Sequence, residues 1–70
     1  MTLRWALDTT SRYGKWDGYD ITGRKIAKIE TTDRGRFVAT LHHVRITPAI
    51  GTTSLDAAKA ITEATAGHLT

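Results

Sequence analysis

Residues 24–46, RKIAKIETTDRGRFVATLHHVRI, decide the fold. Arg24–Thr32 carries Ile26 and Ile29 among charges and β-branched residues, which reads as a strand. Asp33-Arg34-Gly35 then supplies the chemistry of a tight turn and closes a hairpin with a strand over Arg36–Ile46. In that second strand Phe37, Ala39 and Leu41 share one phase, whereas Val44 and Ile46 share the other. A period of two cannot place both sets on one face without a one-residue slip. The sequence therefore predicts a bulge or bend at His42-His43, or a strand partly covered on both faces there.

Upstream, Leu3, Trp5 and Leu7 alternate with Arg4 and Ala6, giving a strand over about 3–9 that ends in the turn-forming Asp8-Thr9-Thr10-Ser11. Arg12–Lys15 reads as a loop into a strand over about 16–21, and Thr22-Gly23 turns it into the strand at 24–32. Downstream, Pro48 donates no ladder bond, so Thr47–Gly51 leaves the sheet. Thr53 or Ser54 caps a helix over about 54–67, and Thr53 with Asp56 resembles a capping box. Its periodicity puts Ala57, Ala58, Ile61, Ala64 and Thr65 inside and Lys59, Thr62 and Glu63 outside, with Gly67 as the C-cap. The expected fold is α+β: one domain over 1–70, a three- to four-stranded antiparallel meander with one C-terminal helix packed on the sheet. Trp5, Ile29, Phe37, Leu41 and Ile61 are the expected core.

A chain of 70 residues has a small core and a stability margin of a few kcal/mol. With no cysteine, neither disulfides nor thiolate metal sites are available. No apolar run is long enough for a signal peptide or a membrane span, so the chain reads as a complete cytoplasmic product. The charge is uneven. Residues 1–50 hold nine of the ten Lys/Arg and five of the seven Asp/Glu, whereas residues 51–70 hold Lys59 against Asp56 and Glu63. A basic β part suits nucleic acid or an acidic protein patch; charge for solubility is the plainer account.

Catalysis is not expected. The carboxylates Asp8, Asp17, Asp20, Glu30 and Asp33 fall mostly at turns and strand ends, Ser54 has a role as a cap, and no phosphate loop or dinucleotide fingerprint is present. His42 and His43, as neighbours on a strand, point to opposite faces and cannot chelate one ion; His68 could join one of them, but no carboxylate lies at a ligand spacing, and a bulge residue plus a solvent-facing histidine is the better reading. No metal, cofactor or small-molecule ligand is expected. Two features suit binding instead. Arg12, Tyr13, Lys15 and Trp16, with Tyr19 beyond, combine cations with rigid aromatics of the kind that dominate hot spots or stack on bases. In that set Trp16 also fits a core role. Arg24, Lys25, Lys28, Arg34 and Arg36 run along a hairpin, with Arg24 and Lys28 on one face by their even spacing, and form a basic ribbon that can follow phosphates, or simply a charged edge that discourages aggregation.

Three strands followed by a helix opening Thr53-Ser54-Leu55-Asp56-Ala57-Ala58-Lys59 resemble the N-terminal arm-binding module of tyrosine integrases, and more distantly the double-stranded-RNA-binding fold. The integrase likeness implies a sheet that enters the major groove. The chain lacks the Gly/Lys loop ahead of a helix that an RNA-binding domain has. Size, absence of cofactor motifs and the sheet followed by the helix opening at Ser54–Lys59 also resemble the small phage and prophage proteins of the anti-CRISPR type. That likeness implies an inhibitor, monomeric or homodimeric, docked on a bacterial CRISPR–Cas effector complex, and carries over no site residues; the expected contacts are the residues read above as suited to binding, Arg12, Tyr13, Lys15, Trp16, Arg24, Lys28, Arg34 and Arg36. The alternative is direct DNA binding by a basic sheet face.

Overall fold

In the computed structural model the alternating stretch at residues 25–31 becomes the central strand of the sheet. The structure describes residues 2–10, 14–32, 34–48 and 50–69, the side chain of Leu69 excepted. The strands are β1 (Arg4–Leu7), β2 (Lys15–Tyr19), β3 (Lys25–Thr31), β4 (Phe37–Leu41) and β5 (Val44–Arg45), followed by helix α1 (Leu55–Leu69). They form one antiparallel sheet in the order β1-β2-β3-β4-β5, a meander in which every neighbour in sequence is a neighbour in space. The α+β class and the C-terminal helix on the sheet are as expected. The strand count is five because the stretch read as one strand over 36–46 is a hairpin.

The turn of that hairpin is His42-His43. Leu41 pairs with Val44, leaving two residues between them, and both have positive φ, 51° and 68°. Two left-handed residues in a two-residue loop are the geometry whose twist matches the flanking strands, and the sequence usually found there is Asn-Gly. The phase change between Leu41 and Val44 thus arises from a reversal of direction rather than a bulge. Histidine tolerates a positive φ better than most side chains, but each such residue still costs on the order of 1 kcal/mol.

Directly opposed residues of an antiparallel pair share a face, so the registers sort the sheet into two sides. One side carries the row Leu7, Trp16, Ile29, Ala39 and the row Trp5, Gly18, Ala27, Leu41. The helix crosses this side over β3 and β4. The centre is built from small side chains: Ala27, Ala39, Ala58 and Ala66 are buried, as is Thr62 at 0 % exposure. Large rings flank them. A Cβ on Gly18 would lie 2.9 Å from Cζ3 of Trp5, so that indole lies on the bare glycine backbone. Trp16 meets Phe37 edge-on, with centroids 6.0 Å apart and planes at 63°. Small residues let the helix approach closely, and the aromatics fill the space beside it.

The helix face differs from the periodicity-based expectation. Ala58, Thr62 and Ala66, spaced by four, point inward, whereas Ala57 and Ala64 are exposed and Ile61 is half-buried. Thr62, expected outside, can be buried because its hydroxyl donates to the Ala58 carbonyl at 2.7 Å. Ser54 is the cap, its Oγ accepting from the Ala57 N–H at 3.3 Å. Gly67 lies inside the helix, which continues to Leu69, rather than ending it. Glu63 reaches back to the chain start, where its carboxylate accepts from the Leu3 N–H at 3.0 Å.

The segment after β5 completes the β4 edge. Ile46 N–H donates to the Ala39 carbonyl, and the buried Thr47 hydroxyl accepts from Ala39 N–H at 3.2 Å. Phe37 and Thr52 exchange a pair of backbone bonds, each 2.8 Å. Gly51 has φ +77°, and a Cβ there would stand 2.7 Å from the Phe37 carbonyl oxygen. Only glycine fits this close approach.

Candidate nucleic-acid interface

The side of the sheet away from the helix carries the alternate residues: Arg4 opposite Tyr19, Ala6 opposite Asp17, then Lys28, Thr40 and Arg45, and Lys15 opposite Glu30 and Val38. An irregularity after Gly18, where Tyr19 pairs with Lys25, passes over Ile26. Extra residues of this kind increase the local twist and re-aim side chains. A groove of about 360 Å³ lies here, lined by Lys15, Arg24, Lys25, Lys28, His42 and His43 over a floor that includes Ile26 and Thr40. Among the described residues no carboxylate lines it.

Carboxylates nearby hold several of the lysines. Lys28 Nζ lies 2.8 Å from Glu30, Lys25 Nζ 3.7 Å from Asp17, and Lys15 Nζ 4.0 Å from Asp8. The Lys28–Glu30 pair is exposed enough to contribute little to stability, so an incoming anion can compete for Lys28, whereas Asp17 beside Lys25 is largely buried. Arg24 and Arg45 form no ion pair among the described residues. Arg4 lies over the Tyr19 ring, 4.7 Å from its centroid.

Arg24 is positioned by a rigid turn. One oxygen of Asp20 accepts from Thr22 Oγ1 at 2.6 Å, Thr22 N–H at 2.9 Å and Arg24 N–H at 3.0 Å. The Thr22 hydroxyl bond first, then burial opposing it, and the two backbone bonds leave the Asp20 carboxyl below the ordinary Asp range. Because the folded-state value is depressed, the stabilisation is complete above the ordinary range and is lost as pH falls through the folded-state value. The turn should therefore loosen only in acid. A carboxyl titration by NMR is expected to give Asp20 a midpoint below that of an unstructured Asp, rising in Thr22→Ala; a midpoint at or above the unstructured value would contradict this arrangement.

The expected binding residues separate into three groups. Lys15, Arg24 and Lys28 meet in the groove with Lys25 of the same basic run, joined by His42 and His43, which the sequence did not mark as binding residues. Arg34 and Arg36 sit at the turn after β3, whereas Arg24 sits before it. The seven residues of β3 separate these turns by roughly 20 Å at the rise of a strand, so the basic ribbon is not one contact surface. Trp16 faces the helix side and packs half-buried on Phe37, which makes it a core residue. Arg12 and Tyr13 lie outside the described residues. Arg24 and Lys28 are legible as sharing a face from their even spacing; the histidines are not, because the stretch that brings them to the groove is a hairpin rather than one continuous strand.

Among the described residues no group of three His, Cys, Asp or Glu is arranged to hold a metal ion, and no helix is long and apolar enough to cross a membrane. No protein-family model, curated protein or solved structure matches the chain.

Proposed function

We propose that this chain is a non-enzymatic binding protein whose open sheet face holds the phosphate backbone of nucleic acid, duplex DNA in the first instance, in the bacterial cytoplasm. The observation that carries the reading is the groove on the helix-free face, where four Lys and Arg residues converge with two histidines and, among the described residues, no carboxylate. Closely spaced cations release counterions from a phosphate strand, and their attraction is independent of sequence. β2 and β3 are flanked by β1 and β4, so the face of the sheet, rather than a free two-stranded ribbon, lies against the phosphates of the duplex. The likeness to integrase arm-binding modules implies the same use of a sheet.

An acidic patch on a defence effector complex is the competing occupant of the same groove, and that inhibitor reading drew on aromatic anchors. Trp16 is turned to the core, which weighs toward phosphate. The test is titration of a short labelled duplex at low and physiological salt, beside capture of a CRISPR effector with and without nuclease. Micromolar duplex binding at low salt, with a log–log salt slope near about −3 for three or four neutralised phosphates, is expected. Absence of duplex binding together with nuclease-resistant effector capture would replace this reading with the inhibitor.

A further inference from the structure

The His42-His43 turn is an expensive way to join β4 to β5. Both residues have positive φ, where asparagine and glycine are the low-cost choice, yet both are histidines and both line the basic groove. The turn is held in place rather than loose: the His42 N–H donates to the Ile26 carbonyl at 2.9 Å, tying it to β3 and to the groove floor. Backbone strain maintained by its surroundings, at side chains that face a binding groove, is the pattern of a positioned functional group.

We infer that His42 and His43 form the end of the phosphate site, donating ring N–H bonds to the phosphate oxygens of a nucleic-acid strand whose charge Arg24, Lys25 and Lys28 neutralise. This deepens, and rests on, the reading of the groove as a phosphate-binding surface. The imidazoles add directed donors to a set of flexible point charges. Lysine alone fixes no orientation, whereas two rings carried on a tight turn fix where a phosphate lies along the groove. The turn is thus kept for binding at the expense of stability.

The paired variant His42→Asn/His43→Gly separates these roles, because it supplies the residues that the backbone prefers. Its melting temperature should rise by about 5 °C or more, since relief of about 1 kcal/mol moves a domain of this size by that much. Its affinity for a short DNA duplex at low salt should fall about tenfold, equivalent to one charge-assisted hydrogen bond. Lys28→Ala, measured in parallel, reports on the groove itself. If Lys28→Ala weakens duplex binding and the His pair variant does not, the histidine inference fails and the phosphate groove stands. If the pair variant melts no higher than the parent, the strain argument fails and the inference with it. If the parent binds no duplex, both readings fall.

Discussion

Ile29→Asp is expected to abolish folding. Ile29 is 0 % exposed, lies between Trp16 of β2 and Ala39 of β4, and shares a buried cluster with Ala58 of the helix. No cation of the sheet reaches that side, since the lysines of β2 and β3 point to the opposite face. A carboxylate there is desolvated and unpaired, and costs several kcal/mol against a margin of about the same size. Thermal denaturation followed by circular dichroism should show no cooperative transition for this variant. Ile29→Val, which removes one methyl, should melt cooperatively with a loss of about 1 kcal/mol. Ile61→Asp should remain folded with a lower melting temperature, because Ile61 is half-buried and its carboxylate can turn to solvent. A cooperative melt for Ile29→Asp, or unfolding by Ile61→Asp alone, would contradict the core described here.

Ile61 shows how far periodicity alone carries. A hydropathy ranking places the one isoleucine of the helix inward and its neighbour Thr62 outward. The helix instead turns the row Ala58, Thr62 and Ala66 to the sheet, where Trp5, Trp16 and Phe37 pack beside it. The row was visible in the sequence as a spacing of four, but its value depends on a tertiary fact, the height of the rings beside it. Class, strand order and the Ser54 cap follow from local pattern, and local pattern was enough for them.

The His42-His43 turn failed to be legible for a different reason. Two-residue hairpins announce themselves through Asn, Asp or Gly, and none is present here. The alternation from Phe37 to Leu41 and from Val44 to Ile46 gave the right break with the wrong geometry. Once the break is a reversal, both histidines move to the groove and the basic face acquires its end. Arg34 and Arg36 made the converse error: neighbours of Lys28 in a linear count of charges, they lie at the far end of β3 because a strand keeps its two turns apart.

That separation makes the second large effect a matter of place as well as charge. Arg24→Ala/Lys28→Ala and Arg34→Ala/Arg36→Ala each remove two positive charges, so any account based on net charge alone treats them as equal. The groove account does not. Arg24 and Lys28 line the groove, whereas Arg34 and Arg36 lie outside it. Both variants should fold, because these side chains are not among the buried ones and the Lys28–Glu30 pair is largely solvent-accessible. The deciding measurement is the affinity of each variant for one labelled duplex across a salt series. Loss of the groove pair should weaken binding about a hundredfold at low salt, each phosphate contact being worth about tenfold, and should reduce the log–log salt slope by about two. Loss of the far pair should change affinity by less than about threefold and leave the slope nearly intact. Equal losses in the two variants would contradict a phosphate site in the groove and leave only diffuse attraction by a basic chain.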